Sequence, residues 1–135
     1  MEKPAATGGM RHVALYVSDL EACVRFYAEI LDMAIEWQPD ADNIYLCSGC
    51  DNLALHRAPE GFDPQAGQQQ LDHIGFILKT PEDVDAWFEY MTSFEVEMKA
   101  QPRTHRDGAR SFYCYDPGGN LVQMIYHPPI SDKCG

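Results

Sequence analysis

An α+β fold made of two βαβββ modules, joined as a cupped and mostly antiparallel mixed sheet with helices outside, is predicted by three features of this 135-residue chain. Two strand-like segments carrying a histidine recur 61 residues apart (73 − 12): Arg11-His12-Val13-Ala14-Leu15-Tyr16-Val17 and Asp72-His73-Ile74-Gly75-Phe76-Ile77-Leu78. A helical pattern follows each segment at nearly the same offset, and strand-like runs broken by turn residues follow each helix. Self-similarity at a fixed offset is the mark of a repeated structural unit. The expected layout is a tail (1–10), a first module (11–59), a Gly-, Pro- and Gln-rich linker (60–70), a second module (71–129) and a tail (130–135), forming one compact domain.

Each opening strand alternates with period two. Val13, Leu15 and Val17 share one face and His12, Ala14 and Tyr16 the other; Ile74, Phe76 and Leu78 likewise oppose His73, Gly75 and Ile77. The first helix is expected to begin at Ser18, which stands in capping-box spacing with Glu21. Leu20, Cys23, Val24, Tyr27 and Leu31 supply its apolar stripe. The second begins at Thr80, with Pro81 suited to the first helical position and Val84, Trp87, Phe88 and Met91 as its stripe. Strands are expected at 33–37, 44–47 and 53–57, then at 96–99, 111–115 and 121–127, with the last turn of each module equal in length. One helix covers one face of a module's sheet, so the other face needs a partner. Two modules side by side form a cup in which the histidine strands face each other.

The net charge of −11 and pI near 4.6 argue against sequence-independent nucleic-acid binding and against an anionic membrane surface. No apolar run is long enough to span a bilayer, and residues 1–9 lack the apolar segment of a secretory signal. Five cysteines, an odd number, read as reduced thiols in a cytoplasmic protein. Cys47 and Cys50 form a C-x-x-C around Ser48-Gly49, but between two strand-like runs the pair reads as an ordinary turn.

The opening Arg11-His12-Val13-Ala14-Leu15, the segment from Arg25 to Met33, the strand around His73 and Asp116-Pro117-Gly118-Gly119-Asn120-Leu121 resemble the vicinal oxygen chelate superfamily. That superfamily includes glyoxalases, bleomycin-resistance proteins, fosfomycin-resistance thiol transferases and extradiol dioxygenases. The resemblance covers residues 11–129 and implies a divalent metal ion (Zn, Ni, Co, Mn or Fe(II)) held by His12, His73 and Gln123. Family members usually carry Glu at the Gln123 position. Gln offers a neutral carbonyl oxygen and accepts no proton in the usual shuttle role.

His56 is the candidate for a fourth ligand or for a replacement base, and its facing is open. Matching Asn52 to Asn120 without a gap pairs Leu55 with Gln123 and turns His56 away, whereas a core-facing Leu53 and Leu55 put His56 in the cup. Tyr113 and Arg110 are the further catalytic candidates. Tyr16 and Tyr45 are expected as aromatic walls, and Arg103, His105 and Arg106 as an anion-binding rim, although these cations could equally pair with the abundant acids. The resemblance implies a metal-dependent lyase, isomerase, thiol transferase or dioxygenase acting on a small oxygenated, anionic substrate. The alternative is a non-catalytic protein that sequesters an antibiotic. A small-molecule substrate and a homodimer are expected, with neither nucleic acid nor membrane as a partner.

Overall fold

The computed structural model describes residues 3, 10–63, 71–128, 130 and 131. Most of the expected linker and parts of both tails therefore lie outside the described residues. β1 (His12–Val17) pairs in parallel with β4 (Asn52–Arg57), which pairs antiparallel with β3 (Asn43–Cys47), and β3 with β2 (Ala34–Asp40). The second module repeats this plan: β5 (Ile74–Leu78) runs parallel to β8 (Leu121–Tyr126), followed by β7 (Arg110–Tyr115) and β6 (Met98–Thr104). Two four-stranded mixed sheets of order β1-β4-β3-β2 and β5-β8-β7-β6 result, in agreement with the predicted α+β class.

The first helix starts one residue later than expected. Asp19 rather than Ser18 is its cap, accepting from the Ala22 amide at 3.0 Å, as a short side-chain oxygen does at an N-cap. α1 (Leu20–Val24) continues as a π-helix over Arg25–Ile30. The wider turn lets the consecutive Phe26 and Tyr27 both face inward, where they are buried. α2 (Pro81–Thr92) has the expected start: Thr80 and Asp83 form a reciprocal capping box and Pro81 opens the first turn.

One apolar cluster draws on both modules. Leu15, Val17, Phe26 and Leu46 belong to it, as do Leu78, Val84, Phe112 and Val122. A polar tie crosses the same region. The Tyr27 hydroxyl donates to Asp116 Oδ2 at 2.6 Å, while Asp116 Oδ1 accepts from the amides of Gly118 and Asn120, each at 2.8 Å. Asp116 is buried, and these bonds replace the water it has lost. Gly118 is closely packed here: a Cβ would stand 3.2 Å from Cγ1 of Val17, which would have to give way by a few tenths of an ångström.

Cys23, Cys47 and Cys114 are free thiols, so the C-x-x-C is not closed on itself. Cys50 is disulfide-bonded, which corrects the expectation of reduced thiols throughout; Cys134 lies outside the described residues. No helix among the described residues is long and apolar enough to cross a membrane.

Candidate functional site

Strand register decides which side chains share a face. In the first sheet His12 pairs with Asn52, Ala14 with Ala54 and Tyr16 with His56, while Tyr45 lies opposite Ala54 and Asn43 opposite His56. His12, Tyr16, Tyr45 and His56 therefore share the face turned away from the core. In the second sheet Gly75 pairs with Gln123, and Gln123 with Tyr113. His73, immediately before β5, meets Tyr113 edge-on with ring centroids 5.5 Å apart. His73, Tyr113 and Gln123 thus also share one face.

The two registers also resolve the facing of His56. With His12 matched to His73, Ala14 falls on Gly75 and Ala54 on Gln123. The turn from Tyr115 to Leu121 is one residue longer than that from Cys47 to Asn52, so the turns are unequal, contrary to expectation. His56 lies on the cup face, two residues beyond the position matching Gln123, or about 7 Å along the strand. The residue at the matching position is Ala54, which has no donor atom. His56 therefore does not stand at the position matching Gln123.

The donor atoms are pre-oriented. His12 Nδ1 lies 2.7 Å from Asn52 Oδ1, and His73 Nδ1 lies 2.6 Å from Asp72 Oδ2. Each ring thereby has its Nδ1 engaged and its Nε2 left over. Gln123 Nε2 donates to the Ser111 hydroxyl at 3.1 Å, and that hydroxyl lies 3.2 Å from His105 Nε2. This bond leaves Gln123 Oε1 as the free acceptor. Among the described residues no three His, Cys, Asp or Glu side chains form a cluster able to hold a metal. His12 stands on the first sheet, His73 and Gln123 on the second; two imidazoles and a carboxamide oxygen are ligand types that a borderline divalent cation accepts.

Aromatic rings surround His56. Tyr16 and Tyr45 each lie 6.0 Å from it, and Trp37 stacks on Tyr45 at 5.1 Å. Arg103, His105, Arg106 and Asp107 line an open cleft at the β6–β7 hairpin. Arg110 is elsewhere. Its Nη2 and Nε donate to the Asp85 carboxylate on α2 at 2.7 and 3.1 Å, and its Nη1 to Thr104. Those contacts place it on the helix side of β7, and its salt bridge holds Asp85 below the ordinary carboxylate range. It joins β7 to α2 and is not brought together with His73 and Gln123.

Glu36, Asp40, Asn43, Asn52 and Ser111 were not singled out by the sequence reading. A signal was present: Gln38-Pro39-Asp40 and Gln101-Pro102-Arg103 are a second internal repeat, 63 residues apart (101 − 38).

A paired-module protein with ligand-type side chains on matching strands is the class that this fold and site define. The chain belongs to the Glyoxalase/Bleomycin resistance protein/Dioxygenase superfamily, which it matches over residues 9–124. It is similar to the fosfomycin resistance protein FosX of Listeria monocytogenes, at 31% identity over 86% of this chain and 87% of that protein. It is also similar to the metallothiol transferase FosB of Staphylococcus epidermidis, at 27% identity over 85% of this chain and 79% of that protein. The lactoylglutathione lyase of Agrobacterium tumefaciens shares the fold, with a TM-score of 0.76 at 20% identity, over 93% of this chain and 98% of that one.

Proposed function

We propose that the protein is a divalent-metal-dependent enzyme that acts on a small, oxygenated, anionic compound by addition or group transfer. The observation that carries this reading is the orientation of the donors: among the described residues His12 and His73 engage Nδ1 and not Nε2, and Gln123 engages Nε2 and not Oε1. His12, His73 and Gln123 would hold the ion. A bound divalent cation supplies Lewis-acid polarisation of substrate oxygens. His56 is the base available on the cup face, since the Gln123 carboxamide takes up no proton there. Tyr113 buttresses His73, and Tyr16 and Tyr45 wall the substrate beside His56. Arg103 and Arg106, with His105, bind the anionic group through charge-assisted hydrogen bonds. The names of FosX and FosB, fosfomycin resistance and metallothiol transfer, support addition or transfer over isomerisation.

The exposed Tyr16, Trp37 and Ile77 support a homodimer in which a second copy completes each cup. A cytoplasmic location is part of the same reading; the three free thiols support it, and the Cys50 disulfide counts against it. A second reading, antibiotic sequestration without catalysis, is favoured by the aromatic patch of Tyr16, Trp37 and Tyr45.

Titration calorimetry with Mn²⁺ or Zn²⁺ tests the choice. His12→Ala or His73→Ala should weaken binding by more than about 100-fold, beyond the cost of losing an outer-shell partner. Unchanged affinity in both variants overturns the metal reading and leaves sequestration.

A further inference from the structure

Two hydrogen-bonded chains of the same composition lie side by side on the cup face of the first module. His12 Nδ1 is 2.7 Å from Asn52 Oδ1, and Asn52 Nδ2 donates to Glu36 Oε2. His56 Nδ1 is 2.6 Å from Asn43 Oδ1, and Asn43 Nδ2 donates to Asp40 at 2.9 Å. Elementary donor and acceptor rules fix the sense of each chain. An ionised carboxylate only accepts, so the asparagine must turn its NH₂ toward the acid. Its carbonyl oxygen then faces the imidazole and only accepts as well. The ring nitrogen next to it must carry the hydrogen, and the proton-free nitrogen is Nε2.

The backbone explains how both acids reach this face. β2 is irregular at two points, between Ile35 and Trp37 and between Trp37 and Asp40. Bulges re-aim side chains, and Glu36 and Asp40 stand at these two. Asp40 is further anchored by the Asp42 amide at 2.8 Å. That bond, followed by the Asn43 carboxamide, holds its carboxyl below the ordinary range, so it stays an acceptor at neutral pH.

We propose that Asn52 with Glu36, and Asn43 with Asp40, are positioning residues that lock His12 and His56 in the Nδ1–H tautomer, each with its Nε2 lone pair presented to the cup. The consequence rests on the functional reading above: His12 is preset as a metal ligand and His56 as a proton acceptor, by identical devices. An imidazole free to exchange its proton between nitrogens presents Nε2 for only part of the time. A carboxylate-backed amide removes that loss, as outer-shell partners do for ligating histidines.

Long-range ¹H–¹⁵N spectra of the full chain, freed of metal by chelator, read the tautomers directly. The spectra are recorded at about pH 8.5, above the ordinary histidine range. His12 and His56 should both show the Nδ1–H pattern. Asn43→Ala should move His56 toward Nε2–H and leave His12 unchanged; Asn52→Ala should do the reverse. The unaltered ring in each variant reports that the sheet has folded. In a Zn²⁺ titration, Asn52→Ala should lose about 10–100-fold in affinity, and Asn43→Ala should lose none. An Nε2–H ring in the unaltered chain, or a tautomer indifferent to its asparagine, overturns the proposal. Absence of Zn²⁺ binding with both rings in the expected form overturns the metal reading and leaves the two chains standing.

Discussion

The two edge strands, β2 and β6, share a backbone and differ in charge. Both are irregular at matching points: between Ile35 and Trp37 and between Trp37 and Asp40 in one, between Met98 and Ala100 and between Ala100 and Arg103 in the other. Pairing with Tyr45 and Tyr113 aligns Trp37 with Ala100, so Glu36 falls on Lys99 and Asp40 on Arg103. The same bulges therefore carry acids in the first module and bases in the second. The first module uses its acids to orient two histidines through asparagines. The second has Ser111 where the first has Asn43, and uses it to turn the Gln123 amide, leaving Arg103 at the rim. The two modules share the geometry that aims side chains into the cup and differ in the charge that they place there.

This comparison can be broken at four points. The longer turn of the second module is the one that reaches the first, through Asp116 and Tyr27. Asp116→Ala leaves the Tyr27 hydroxyl and the amides of Gly118 and Asn120 without their acceptor. It should cost about 3 kcal/mol in urea unfolding, as buried groups lose charged partners. An effect below about 1 kcal/mol would show that the tie is dispensable.

Copying the first module's charge into the second by Arg103→Asp should raise the dissociation constant for a small phosphonate about 10-fold or more, one charge-assisted bond being worth roughly 1.5–3 kcal/mol. Equal affinity in a direct binding assay would remove Arg103 from the anion rim. Gln123→Glu restores the family's usual charge at the ligand position and should tighten Zn²⁺ binding by about 10-fold, since ligand charge count tunes affinity. Unchanged calorimetric affinity would place Gln123 outside the donor set.

The last effect, confined to alkaline pH, is one that the modules share. Burial pushes the Cys23 thiol and the Cys114 thiol each up to about 12, and Tyr27 is raised above its ordinary value by burial and then by Asp116. These folded-state values exceed the unfolded ones, so the unfolded chain releases its protons first. Their contribution is complete below the ordinary thiol range and is lost as pH rises through it toward about 12. Urea midpoints should fall between about pH 9 and 11, and Cys23→Ala should flatten that fall.

Much of this was legible because it is periodic. Alternation around His12 and His73 marked the two opening strands, and Thr80-Pro81 marked the start of α2. The π-helical stretch was not legible, because period alone does not separate two adjacent buried aromatics from an ordinary helical stripe. Glu21 in capping-box spacing points to Ser18, but the adjacent Asp19 is an equally good capping residue and is the one the structure uses. The facing of His56 hung on one extra residue in a turn, and a turn's length is not written in the pattern of the strands beside it.

The sequence by itself determined the duplication, the α+β class, the superfamily and the identity of the residues suited to metal and anion. The duplication and the fold class are carried by local period, and the superfamily and its implied metal positions by the resemblance of a few motifs, all of which survive without coordinates. Only the tertiary structure decided that His56 shares the His12 face and that Ala54 stands where Gln123 does in the other half. It also decided that Arg110 serves α2 rather than the cup, and that Asn43 and Asn52 stand between histidines and acids. Each of these depends on cross-strand register, and register is set by bulges and turn lengths acting between segments far apart in the chain.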